Sequence, residues 1–275
     1  DDGVLRVERR DGRLVEVPEA DVVAAKVVAP EVSAEDMQAV AERGWPPHET
    51  APLGGWTLRW SGGVTGRANS VRVAGSPGMP LPEALTAVER WYAERGGPAL
   101  MQMPVPSAYD AALEGAGWAV ARRTVLRTAP TQVLLDAAAR PPAEDLHVVR
   151  MDEPSPELLE LVDPGLDPVA LARILTGPAE RVFVEVRDPR GGLLGTGRAS
   201  ATSAASGRWA GVTSIATVPE ARRRGIASLV MAELARWSLE HDCPRTYLQS
   251  LGANEPAGAL YAFCREVDDV VDEVS

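Results

Sequence analysis

Short runs of alternating or continuous apolar residues, which predict strands, take turns along this chain with stretches whose apolar positions recur at helical spacing. Residues 4–8 and 13–17 flank Asp11-Gly12, a hairpin signal because that pair accepts the positive φ of a tight turn. Residues 21–28 give a further candidate strand. A helix is predicted over 33–43, with Ser33 as N-cap and Glu35 and Asp36 in its first turn. Residues 55–60 and 68–73 read as strands joined by a Gly-rich turn. They are followed by a helix over 81–95 with Pro82 tolerated in its first turn, a strand over 98–103, a helix over 107–115 and a strand over 118–127.

A Pro- and Ala-rich stretch, 129–142, then reads as a short helical or extended linker. Beyond it come a strand at 146–151, helices at 156–162 and 169–175, and a hairpin of 181–186 with 193–199 through the Asp188–Gly192 turn. A strand over 208–218 leads to a helix over 228–239, whose Leu229, Val230, Ala232, Leu234 and Trp237 share helical spacing. The last elements are a strand at 246–249 and a helix carrying Ala259-Leu260-Tyr261. No helix stop precedes the acidic stretch 267–274, so the pattern alone does not predict the strand expected there.

The two series match each other. Ala99-Leu100-Met101-Gln102 aligns with Thr246-Tyr247-Leu248-Gln249, and Ala112-Leu113 with Ala259-Leu260, all at one offset of 147 residues. That offset sets Gly78 under Gly225 but places Gly75 under Arg222 and Glu114 under Tyr261. The reading is two copies of one fold, the first without the arginines and the tyrosine. The expected domains are residues 1–30, 31–130 and 143–275, with 131–142 as linker.

The most informative stretch is Ile215-Ala216-Thr217-Val218-Pro219-Glu220-Ala221-Arg222-Arg223-Arg224-Gly225-Ile226-Ala227. A strand ending in an Arg/Gly loop at a helix N-terminus is suited to holding phosphate. The first N–H groups of the helix have no partner within it, and its dipole favours an anion there. Three arginines can equally be a solvated surface, but the strand before them and Gly225 after them favour an anion site. Asn254 reads as a turn or capping residue. Tyr261, beside Leu260 and Phe263, reads by itself as a boundary tyrosine with a packed ring and a wet hydroxyl.

Arg222-x-x-Gly225-x-Ala227 after a strand resembles the pyrophosphate loop of the GNAT (Gcn5-related) N-acetyltransferases, and the strand 246–249, Asn254 and Tyr261 follow in that family's order and spacing. The resemblance extends over nearly the whole chain to an actinobacterial group with an SH3-like segment before a tandem pair of GNAT folds. It rests also on Gly55-Trp56-Thr57-Leu58-Arg59-Trp60, Arg67-Ala68-Asn69-Ser70 and Trp209-Ala210-Gly211. Residues 1–30 then correspond to part of an SH3-like barrel; a bare hairpin is the alternative, since about thirty residues bury too little to fold alone. The resemblance implies an α/β fold with mixed central sheets and acetyl-CoA as co-substrate. Ile215, Ala216 and Thr217 would lie along the pantetheine arm, Arg222, Arg223, Arg224, Gly225, Ile226 and Ala227 on the diphosphate, and Asn254 on the arm. Tyr261 would be the general acid for the departing thiolate after direct attack by a primary amine. Where some relatives carry a strand glutamate this chain has Gln249, which takes no proton at neutral pH; Glu185 or a water chain is the remaining candidate for a general base. A non-catalytic module that binds CoA or acetyl-CoA is the alternative function.

Composition narrows the partners. A net charge of −11 argues against a general nucleic-acid binder and suits a cationic acceptor, whether a small-molecule or a peptide amine. His48, His147 and His241 lack metal-ligand spacing, and two cysteines make no disulfide scaffold, so no metal and a cytoplasmic location are expected. Neither a signal peptide nor a membrane-length apolar run stands out.

Overall fold

The computed structural model describes residues 4–8, 13–18, 32–138, 145–254 and 265–274, with 5–8 and 265–274 as backbone only. The chain forms two compact units, Asp1–Val32 and Ser33–Ser275. In the first, β1 (Val4–Glu8) and β2 (Leu14–Pro18) pair antiparallel, with Val7 opposite Val15. The turn at Asp11-Gly12 and the strand expected at 21–28 lie outside the described residues.

In the second unit, one 11-stranded sheet runs in the order β3-β4-β5-β6-β13-β7-β12-β11-β10-β9-β8. Its first half comprises α1 (Ala34–Gly44), β3 (Glu49–Leu53), β4 (Trp56–Trp60), β5 (Val71–Arg72), α2 (Leu81–Ala93), β6 (Met101–Val105), α3 (Asp110–Gly115) and β7 (Val120–Pro130). After α4 (Thr131–Ala138) the second half comprises β8 (His147–Met151), α5 (Pro156–Val162), α6 (Pro168–Leu175), β9 (Arg181–Arg187), β10 (Leu193–Ala204) and β11 (Gly207–Thr217). It ends with α7 (Ile226–Glu240), β12 (Arg245–Leu251) and β13 (Arg265–Val274).

Each half repeats one plan: an antiparallel meander, then a parallel pair, β5 with β6 and β11 with β12. The halves also exchange strands. β13 pairs with both β6 and β7, while β7 pairs on its other side with β12. A strand at the end of the chain thus fills the gap inside the first half, and the last strand of the first half completes the second. Open strand edges leave unpaired backbone donors and acceptors, and the exchange covers them.

Local sequence explains most elements. The Ser33 hydroxyl accepts from the Asp36 N–H at 3.1 Å and starts α1 as expected. The 188–192 turn closes through the Asp188 carboxylate, which accepts from the N–H groups of Arg190 at 2.7 Å and Gly192 at 2.9 Å. Gly195 and Gly197 lie under α7, where a Cβ at Gly197 would meet Ile215 Cδ1 and Val230 Cγ1 at 2.5 Å, so their bareness lets the helix dock on β10.

Four expectations change. Strand β3 was not predicted, its Glu49-Thr50-Ala51-Pro52-Leu53 lacking an apolar alternation. The strand expected over 68–73 is a short 3-10 turn, Arg67–Asn69, followed by the two residues of β5. The reason is Asn69, which binds the preceding loop on four sides: Oδ1 accepts from Ser61 and Gly63 N–H, and Nδ2 donates to the Val64 and Thr65 carbonyls. The linker stretch holds β7 to its end and then α4, whose Leu134 is buried in one core with Val230 and Leu234 of α7. The acidic C-terminal stretch does form a strand, β13, because two neighbouring strands offer it backbone partners.

A second core joins the halves. Trp45, Val64 and Ala68 of the first half pack with Leu158, Leu171, Ile174, Leu175 and Phe183 of the second. Beside it Arg198 is fully buried and donates to the Leu175 carbonyl (2.8 Å), the Gly44 carbonyl (3.0 Å) and Thr213 Oγ1 (3.2 Å). Two of these acceptors lie at the C-terminal ends of α6 and α1, where helix dipoles favour a cation. Burial holds the guanidinium down at about 10, which leaves it charged at neutral pH.

Candidate active site

β11 and β12 run parallel and pair from Trp209–Arg245 through Val212–Leu248. Beyond that point each follows its other neighbour. β11 stays on β10 as far as Thr217 opposite Gly195, and β12 stays on β7 as far as Leu251 opposite Thr124. A wedge therefore opens between Thr213–Thr217 and Gln249–Leu251. At its start Ser214 takes a φ of +58° and the β10–β11 register slips, a bulge that turns β11 away. Ile215, Ala216 and Thr217 are half-buried along this diverging edge.

The edge leads to α7. Pro219–Ala221 makes a 3-10 turn, and Arg222, Arg223, Arg224 and Gly225 are exposed. Arg223 and Gly225 both have positive φ, +65° and +83°, which aims the backbone into a tight nest before the helix. Gly225 is the N-cap and provides no side-chain cap, and the first helical bond runs from the Leu229 N–H to the Gly225 carbonyl at 3.1 Å. The N–H groups of Ile226, Ala227 and Ser228 thus have no acceptor within the helix, and a Cβ at Gly225 would meet nothing within 4 Å. Loop, dipole and free approach together suit a diphosphate.

On β12, Gln249, Ser250 and Leu251 form one wall of a cavity of about 530 Å³. The second half adds Asp163, Pro164 and Leu166 from the α5–α6 connection. The first half adds Trp45, Thr65, Arg67 and Gln102, and β7 adds Arg122 and Thr124. The first-half wall is rigid: Asn69 anchors its loop, Trp45 Nε1 donates to Thr65 Oγ1 at 3.2 Å, and the Arg67 guanidinium lies 5.2 Å from the Trp45 ring centre. The volume is in the range of small-molecule sites.

A family model described as "Probable histone acetyltransferase Rv0428c C-terminal" matches residues 34–267. The chain belongs to that family. Solved structures give its fold. A GCN5-related N-acetyltransferase from Kribbella flavida, 16% identical, aligns over 88% of this chain and 94% of its own with a TM-score of 0.63. A tandem GNAT protein from the clavulanic acid biosynthesis pathway, 18% identical, aligns over 90% and 89% with a TM-score of 0.59. A GCN5-related N-acetyltransferase from Sphaerobacter thermophilus, 17% identical, aligns over 75% and 72% with a TM-score of 0.50. No curated protein matches the chain. The α/β fold is thus that of the GNAT N-acetyltransferases, as the loop motif implied.

Seen in this GNAT frame, the sequence-derived residues fall into three groups. Ile215–Thr217 and Arg222–Ala227 follow one another along the wedge and its helix N-terminus. Asn254 sits just past β12, its N–H donating to the Leu251 carbonyl at 3.0 Å. Tyr261 lies outside the described residues. Glu185 is not in the cavity wall. It is buried on β9, where Ser155 Oγ donates to it and Arg187 pairs with it at 2.6 Å, so it serves structure. Gln249 does line the cavity, and among the described residues neither end of its amide has a hydrogen-bond partner. Its counterpart Gln102, 147 positions earlier, is satisfied, because Oε1 accepts from Arg59 at 2.6 Å. Asp163 was missed by sequence reasoning, since a lone aspartate at a helix end carries no signal. The cavity wall given by the first half was visible only as the motif Arg67-Ala68-Asn69-Ser70.

Among the described residues no group of three or more His, Cys, Asp or Glu is placed to hold a metal ion. No described helix is long and apolar enough to cross a membrane.

Proposed function

We propose that the chain is an acetyl-CoA-dependent N-acetyltransferase that moves the acetyl group to a primary amine by direct attack. The observation that carries this reading is the wedge between β11 and β12, set beside the uncapped N-terminus of α7. Arg222 and Arg224, with the N–H groups of residues 223–227, hold the diphosphate by charge and by hydrogen bonds to an anion. The open edge at Ile215–Thr217 offers backbone groups to the pantetheine arm, with Asn254 beside it. A β11 N–H polarises the thioester carbonyl in the manner of an oxyanion hole. Tyr261 gives its proton to the departing thiolate.

The family's description names histones, and for this chain the acceptor is taken more broadly as a small-molecule or peptide amine. Gln249 in place of a carboxylate favours the second reading, a CoA-binding module without turnover. Thiol release from acetyl-CoA separates the two. With a polyamine, an aminoglycoside, α-amino acids and a lysine-containing peptide as acceptors, at least one is expected to turn over. Tyr261→Phe then lowers kcat by about 10²–10⁴-fold while CoA binding by calorimetry is unchanged. Binding without any turnover supports the module; absence of CoA binding by the unaltered chain sinks both.

A further inference from the structure

The cavity carries polar groups that lie outside the Ile215–Thr217 edge and the Arg222–Ala227 loop. Its β12 wall starts at Gln249, one residue past the last β11–β12 pair, so it adjoins the point where the strands part. Among the described residues the two polar atoms of the Gln249 amide have no partner, and the Ser214 hydroxyl at the bulge is likewise buried and unpartnered. A buried amide without partners is costly, and the matching residue of the first half, Gln102, is satisfied by Arg59. Asp163 contributes a carboxylate. Its backbone is engaged, with its N–H on Leu159 at 3.2 Å and its carbonyl accepting from Leu166 at 3.3 Å, and its side chain makes no hydrogen bond or ion pair among the described residues. Burial alone pushes its carboxyl above the ordinary value. Arg67 and Arg122 on the other cavity walls and Arg173 on α6 do not offset that shift, and Asp167 at the N-cap of α6 does not add to it.

We propose that the cavity shared by the two halves receives the acceptor amine, and that Asp163 is the proton acceptor that activates it. This rests on the acetyltransferase reading above. The acceptor arrives as an ammonium. One proton passes to the Asp163 carboxylate, and the neutral nitrogen attacks the thioester carbonyl carbon. The C–N bond forms, the C–S bond breaks, and the sulfur leaves as a thiolate that takes a proton from Tyr261. The acylated nitrogen gives its extra proton to the tyrosinate, and Asp163 releases its proton to solvent, so both groups return to their starting states. The Gln249 amide oxygen accepts an N–H of the amine and orients it. The task that a strand glutamate performs elsewhere thus moves across the cavity to a helix end, and the first half of the chain supplies the opposite wall.

The test uses the full chain and the four acceptor classes named above. For the best acceptor, kcat/KM is measured from pH 5 to 9. The unaltered chain is expected to show an acidic limb above the usual aspartate range. Asp163→Asn lowers kcat/KM at pH 7 by about 10²-fold or more and abolishes that limb, with KM for acetyl-CoA unchanged. Stability provides an independent readout. A carboxyl raised in the folded state contributes stability below its unfolded pKa, and this is lost as pH rises through its folded value. Asp163→Asn therefore melts no lower than the unaltered chain at pH 7, and the gap between them narrows on acidification. Gln249→Leu removes an unsatisfied amide, so it melts higher while KM for the acceptor rises about tenfold. A limb that survives in Asp163→Asn, or an acceptor KM untouched in Gln249→Leu, overturns the proposal. Tight acetyl-CoA binding with no turnover of any of the four classes overturns it too, leaving the CoA-binding module. Failure to bind acetyl-CoA overturns the underlying reading as well.

Discussion

Gly225→Asp is expected to weaken CoA binding by 100-fold or more while leaving the fold nearly as stable as before. The two effects separate because of what surrounds this residue. Gly225 is exposed, has φ +83°, and an added Cβ would meet no atom within 4 Å, so the substitution costs backbone strain alone. Aspartate tolerates the left-handed region better than most residues, and its charge at the N-terminus of α7 recovers about 0.3–1 kcal/mol from the helix dipole. The net change in stability is within about 1 kcal/mol. The coenzyme meets a different situation: its diphosphate must approach the N–H groups of Ile226 and Ala227, where a carboxylate now stands. Unit charges about 4 Å apart near a protein surface repel by roughly 4 kcal/mol, enough for a 10²–10³-fold loss. Calorimetric titration with CoA and a thermal melt read the two quantities. Binding within threefold of the unaltered chain would remove the diphosphate from this loop.

The second large effect concerns Tyr247, whose ring is buried between the halves. Its hydroxyl touches the Cα positions of Gly44 at the end of α1 and of Gly211 on β11 so closely that a Cβ at either would overlap it. Burial pushes this hydroxyl up to about 12, so it stays neutral at any working pH. Gly211→Ala places a methyl 2.5 Å from Cζ and 2.9 Å from Cε1 as well, against a rigid ring in a filled core. The expected loss is about 3 kcal/mol, the upper end for overpacking. For a chain of this size that lowers Tm by roughly 6–12 °C. Gly44→Ala meets chiefly the hydroxyl, since its next neighbours are Ser200 Oγ at 3.2 Å and Cζ at 3.5 Å. Tyr247→Phe should therefore rescue most of the Gly44→Ala loss and little of the Gly211→Ala loss. A double-mutant cycle on thermal melts measures this, with a coupling of about 1–3 kcal/mol expected only for the Gly44 pair. Equal rescue of both would mean that the ring moves freely and the core is looser than its packing indicates.

The pattern predicted α7 from its apolar spacing alone, and it worked for α1, β9 and β10 because those segments carry their own cap and turn. Ser33 caps one helix and Asp188 closes the hairpin, and both act within a few residues. Where it failed, the deciding partner was distant or concealed. Asn69 turned an expected strand into a loop by bonding to residues before it, although nothing in its immediate neighbourhood marks it as more than a polar strand residue. β13 was not predicted because acidic residues disfavour a lone strand, yet it sits between β6 and β7, which lie more than a hundred positions earlier in the chain. The Arg222–Ala227 loop was legible as a candidate anion site because a site at a helix N-terminus is built from contiguous residues. The cavity was not, because its walls come from six separate stretches of chain.

By itself, then, the sequence determined the class of fold, the repeat with its 147-residue offset and the Arg222–Ala227 loop, each a local or periodic signal. Only the tertiary structure decided that the halves share one sheet, that Gln249 is left unpartnered while Gln102 is not, and that Glu185 is spent on Arg187. The physical reason is the same in each case. Backbone hydrogen bonds and amphipathic faces are encoded within a few residues, whereas whether a buried polar group finds a partner depends on which distant segments close around it.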